Sequence, residues 1–103
     1  MMSESEEYQR LRLHGPHLRD ALQDHLLDLS SRLLAVSFIS EDNYSELTNE
    51  QHTPLKRASR LVELIRNRVK VATRNYYIFL DILLKDELLY KDTIELLCGK
   101  LYF

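Results

Sequence analysis

The chain has 103 residues, of which 45% are hydrophobic and 29% charged, and carries a formal net charge of −2. That is the length of one domain, able to bury roughly 65% of its unfolded surface without staples, and the composition excludes a disordered chain. The near-neutral balance excludes a global pull toward nucleic acid, and the single Cys98 excludes an internal disulfide, which fits a reducing compartment.

The scarcity of turn residues, two glycines and two prolines, favours helices over an all-β domain. The opening MMSESEE lacks a basic n-region and an apolar h-region, so no signal peptide is expected. The longest apolar run, Tyr76 to Leu80, stops at Asp81, far short of the roughly 20 residues of a membrane span. These features predict a soluble cytoplasmic protein without a membrane partner.

Residues 1–6 read as a flexible N-terminal tail, and residues 7–103 as one helical domain. The first helix is expected to break in its middle. Tyr8 and Leu11 begin a stripe, His14-Gly15-Pro16 interrupts it, and Leu18, Ala21 and Leu22 resume it. A second helix is expected near Asp24 to Val36, with Leu26, Leu29, Leu33 and Val36 on one face. Phe38-Ile39 is an apolar connector. Ser40 then caps a short third helix to about Asn49, with Glu41 and Asp42 where the helix dipole favours acids and only Tyr44 and Leu47 for the core.

Thr53-Pro54 is the clearest helix start, with Thr as cap and Pro at the first helical position. Leu55, Ala58, Val62, Ile65 and Val69 lay one stripe along the fourth helix, widened by Leu61 and Leu64. A fifth helix, capped by Thr73 and running from Arg74 to Glu87, is apolar almost all round and is expected at the centre of the bundle. A sixth, Lys91 to Lys100, carries Ile94, Leu97, Cys98 and Leu101, with Gly99 as its stop. Cys98 reads as a small hydrophobe on the apolar face.

The charges are segregated along this order. Asp20 to Glu50 holds seven acids and one base, about −6, and Pro54 to Arg74 holds seven bases and one acid, about +6. A domain with a negative and a positive face attracts a copy of itself or a relative, and complementarity of this kind governs partner choice and encounter rate. Contacts between unlike faces are heterologous, so they close into rings or run on as open helices.

The element order resembles the caspase-recruitment domain (CARD) of the death-fold superfamily. Leu18–Leu47, LRDALQDHLLDLSSRLLAVSFISEDNYSEL, resembles the CARD stretch from helix one through helix three. PLKRASRLVELI (Pro54–Ile65), NYYIFLDILL (Asn75–Leu84) and YKDTIELL (Tyr90–Leu97) resemble its helices four, five and six. The resemblance covers roughly residues 8–98 and implies an all-α, antiparallel six-helix bundle of Greek-key type with a kinked first helix. It implies a non-enzymatic module that binds other CARD-containing proteins, in pairs or filaments, in apoptotic or innate immune signalling. Many CARDs carry a base in the middle of helix one. Here His14-Gly15-Pro16-His17 stands there, with Arg12 and Arg19 on either side.

The expected basic face is Arg12, Arg19, Lys56, Arg57 and Arg60, and the expected acidic face is Asp24, Asp28, Glu41, Asp42 and Glu46. The alternative reading is a basic helical nucleic-acid binder using Lys56–Arg74. The acidic half would repel phosphate, and no RNP string, zinc pattern or glycine-rich loop accompanies the bases. A third reading is a helical regulator that takes a partner's helix into an apolar groove. His14 and His17 are i, i+3, but the Gly15-Pro16 break spoils that spacing for a metal. The sequence offers no nucleophile with a base and no P-loop, so neither catalysis nor a cofactor is expected.

Overall fold

The computed structural model describes residues 4–98, and among them all regular structure is helical. Seven helices follow in order: α1 Glu6–Leu13, α2 Gly15–Leu22, α3 Leu26–Ala35, α4 Glu41–Leu47, α5 Pro54–Val71, α6 Arg74–Leu84 and α7 Lys91–Cys98. The expected six become seven because the broken first helix is two helices meeting at His14. Pro16 sits in the first turn of α2, where its missing N–H costs nothing.

Of the residues expected as a tail, the described ones, Glu4 to Glu6, are tied to the first helix. Ser5 caps α1 by accepting from the Tyr8 N–H at 3.1 Å, and Glu4 is tied to Arg12. The expected Gly99 stop and Leu101 lie outside the described residues. At α4, Ser40 accepts from the Asn43 N–H at 3.0 Å while the Asn43 side chain accepts from the Ser40 N–H at 3.1 Å. This reciprocal cap lets a seven-residue helix hold its place. Thr53 caps α5 through the Lys56 N–H at 3.1 Å, with Pro54 next. Thr73 makes no side-chain cap for α6.

The end of α3 turns on Ser37, whose φ of 59° is left-handed. The Phe38 N–H reaches the Leu33 carbonyl at 2.9 Å and the Ser37 N–H the Leu34 carbonyl at 3.0 Å. This pair of bonds is a Schellman closure, and it swings Phe38 and Ile39 into the core.

The core is built mainly from leucines, with Leu11, Leu22, Leu29, Leu33, Leu47, Leu61, Leu83 and Leu97 all fully buried. Its hub is α5, which packs on α1, α2, α3, α4 and α6. The expectation that the aromatic helix is the centre is corrected. α6 packs on α3, α5 and α7, turning Tyr76, Phe79, Ile82 and Leu83 inward and leaving Tyr77, Ile78 and Leu84 exposed. Three further corrections concern single residues. Val36 lies just past the end of α3 and is exposed, because the chain has begun to turn there. Leu55, in the first turn of α5, is exposed, and the Cys98 thiol is exposed rather than packed.

The buried hydroxyl of Tyr76 is paired at the end of α7. The Tyr76 hydroxyl donates to the Leu97 carbonyl and accepts from Arg10 Nη1 at 3.3 Å, and the same Nη1 donates to the Leu97 carbonyl at 3.0 Å. One of the last carbonyls of α7 is thereby satisfied, and α1, α6 and α7 are locked together. Burial pushes the Tyr76 hydroxyl pKa up, which keeps it protonated as a donor.

Candidate interaction surface

The two charge populations lie on different elements. α4 carries Glu41, Asp42 and Glu46 and no base, and α5 carries six bases against the single acid Glu63. The helices pack against each other, so the populations meet along this seam. Arg60 bridges it. Its Nε reaches Glu46 Oε2 at 2.9 Å and its Nη1 reaches Glu63 Oε1 at 2.7 Å. The hydrogen bond to Glu63, then that to Glu46, raises the Arg60 pKa. Glu46 and Arg60 therefore do not stand as opposite poles, because each is used on the other.

Arg57 is also committed inward. Its Nε donates to the His52 carbonyl at 3.0 Å and its Nη1 to the Leu47 carbonyl at 3.3 Å. The guanidinium closes the C-terminal end of α4, where carbonyls lack helical partners. Arg12 is held by Glu4 at 2.9 Å and Arg19 by Asp20 at 3.3 Å. Both line a cleft of about 170 Å³ at the α1–α2 elbow, together with Pro16, Glu63 and Arg66. The buried Arg66 Nε makes no hydrogen bond among the described residues.

On the acidic side, Asp28 is a structural anchor. Its Oδ2 accepts from the Tyr90 hydroxyl at 2.6 Å and from Arg32 Nε at 2.9 Å, and Arg32 Nη2 continues to Asp86 at 3.3 Å. Burial works to raise the Asp28 pKa, but the bonds from Tyr90 and Arg32 outweigh it, and the carboxyl titrates below the usual range. The same arrangement pushes the Tyr90 hydroxyl far up, with burial the larger cause. His25 meets the Tyr90 ring edge-on at 5.4 Å.

Of the ten nominated charges, Asp24, Glu41, Asp42 and Lys56 are exposed and make no ion pair among the described residues. Four bases outside the nominated set share that condition. Arg68, Lys70, Arg74 and Lys91 are exposed and in no ion pair among the described residues. Arg68 lies over the Phe38 ring at 5.4 Å, and Lys70 lies 6.0 Å from the Tyr8 ring. The Asp28–Arg32 pair was legible from its i, i+4 spacing. Tyr90 and Asp86 had no such signal, because they arrive from the far end of the chain.

No group of three His, Cys, Asp or Glu among the described residues is placed to hold a metal ion, and the His14 and His17 rings lie 6.4 Å apart. Among the described residues no helix is long and apolar enough to cross a membrane. Comparison with models of known protein families, with curated proteins and with solved structures returns no match.

Proposed function

We propose that the chain is a protein-interaction module of the caspase-recruitment type, docking on other CARDs through unlike charged faces in apoptotic or innate immune signalling. In this reading α1 and α2 together are the kinked first helix of an antiparallel six-helix, Greek-key death fold. The supports are the elbow at His14, the short Ser40-capped acidic helix and the long basic helix that follows it.

The observation that carries the reading is the unneutralised charge. Asp24, Glu41 and Asp42 stand exposed on one stretch of chain, and Lys56, Arg68, Lys70 and Arg74 on another. Exposed pairs within a folded chain contribute little to its stability, roughly 0–1 kcal/mol, so free charges of one sign on one element serve encounter rather than folding. The docking set is accordingly narrower than the ten charges nominated from sequence. Arg57, Arg60, Asp28 and Glu46 hold the fold, and Asp24, Glu41, Asp42 and Lys56 hold the partner.

Charge reversal tests this. Asp42→Lys and Lys56→Glu are each expected to abolish binding to a CARD partner while circular dichroism stays unchanged and stability shifts by no more than the first-turn dipole effect, about 0.3–1 kcal/mol, down for the first and up for the second. Binding that survives both reversals contradicts the reading. A gel shift with the same proteins separates the nucleic-acid alternative, for which retardation of DNA or RNA at physiological salt, lost in Lys56→Glu, is the deciding result.

A further inference from the structure

The outer face of α6 is apolar where a solvated helix would be polar. Of the ten large hydrophobic residues exposed on the described surface, five fall between residues 77 and 89. Tyr77, Ile78 and Leu84 on α6 are 53%, 42% and 41% exposed, and Leu88 and Leu89 in the following turns are 91% and 38% exposed. On a wheel of roughly 100° per residue, Tyr77, Ile78, Asp81, Leu84 and Lys85 share one arc of about 120°. The opposite arc is the buried one, Tyr76, Phe79, Ile82 and Leu83. Tyr77 is held in position at the edge of this face, because its hydroxyl donates to Glu7 Oε2 at 2.5 Å.

The face carries three charges, Arg74 in the first turn and, toward its C-terminal end, Asp81 and Lys85, an i, i+4 pair at 3.8 Å with both side chains well exposed. Their spacing has a symmetry consequence. If two copies of α6 lie antiparallel about a two-fold axis beside residue 83, Asp81 of each copy falls opposite Lys85 of the other. The same register sets Leu84 of the two copies beside each other at the axis. α6 ends at Leu84, so Leu88 and Leu89, in the following turns, lie outside this helical register. Near the axis the exposed apolar Leu84 then meets its own copy, and Asp81 and Lys85 each meet their opposite, the self-complementarity that a two-fold interface demands.

We infer that α6 and the turn after it form an isologous docking face whose occupant is a second copy of this chain, packed antiparallel at helix-to-helix distance. The face uses neither of the charged populations on α4 and α5 and shares only Arg74 with the free bases named above, so the proposal stands apart from the proposed docking on other CARDs. Through it one copy presents two sets of poles instead of one.

The test is sedimentation velocity of the full chain in an Asp42→Lys background, which removes pole-to-pole docking from the readout. A dimer whose population grows with concentration is expected. Asp81→Lys and Lys85→Asp are each expected to weaken it about tenfold, because four like charges then meet at the axis. An equimolar mixture of the two variants is expected to recover the dimer, since the two bases of one chain then face the two acids of the other. Leu84→Glu is expected to leave monomer, with helicity by circular dichroism confirming that it is folded. A parent chain that stays monomeric overturns the proposal. So do single reversals that dimerise as the parent does, and a mixture that associates no better than its components.

Discussion

At the scale of single residues, the chain departs from easy choices in two places that can be measured. Ser37 adopts a left-handed backbone that costs a residue with a Cβ about 1 kcal/mol, yet it is the hinge of the α3 closure. Ser37→Gly removes that cost and loses part of it again to the greater freedom of the unfolded chain. The expected result is a gain of about 0.5 kcal/mol in urea unfolding with an unchanged slope. A loss would mean that the Ser37 side chain stabilises the turn. Asp28 supplies the second case. Its pKa is depressed in the folded state, so the stability it contributes is present above the unfolded carboxylate value and lost as pH falls through the folded one. Melting temperature is therefore expected to drop as pH falls below about 4. Asp28→Asn is expected to lower the melting temperature at neutral pH and to flatten that acid limb. An acid limb identical in the variant would remove Asp28 from the explanation.

At the scale of elements, capping and polar ties decide what the apolar pattern leaves open. α4 has only seven residues and one fully buried side chain, Leu47. Its stability therefore rests on the Ser40–Asn43 cap, and Ser40→Ala is expected to cost about 1 kcal/mol, read by urea unfolding. Tyr76→Phe keeps the ring and removes the hydroxyl that bonds the Leu97 carbonyl. It is expected to destabilise by about 1–3 kcal/mol, because that carbonyl and the Arg10 guanidinium lose a buried partner. The starts of α4 and α5 were legible in the sequence because Ser-Glu-Asp and Thr-Pro act locally. The centre of the bundle was not. The run Tyr76 to Leu80 looks more buried than the α5 stripe, but position in the bundle is set by how many neighbours a helix meets, which composition does not encode. The length and two-sided packing of α5 made it the hub, and α6 was left with an apolar outer arc.

At the scale of the whole molecule, the linear separation of charge survives folding only in part. Folding brings Glu46 to Arg60 and uses Arg57 on backbone carbonyls. Sequence position could not distinguish these from Lys56, which is in no ion pair among the described residues, because the distinction lies in the direction each α5 side chain takes toward α4. Arg57→Glu is consequently expected to lower the melting temperature, unlike Lys56→Glu one position earlier. Equal melting temperatures would contradict the clamp described for Arg57.

The proposed docking sets unlike free charges, on separate elements of a small helical bundle, against the charged faces of CARDs. Its most direct measurement is interferometry of the immobilised chain against a panel of purified CARDs across a salt series. Binding to at least one CARD at about 0.15 M ionic strength, fading toward about 1 M and lost in Asp42→Lys, is the expected result. A panel without a single binder, or binding indifferent to both salt and that substitution, would contradict it.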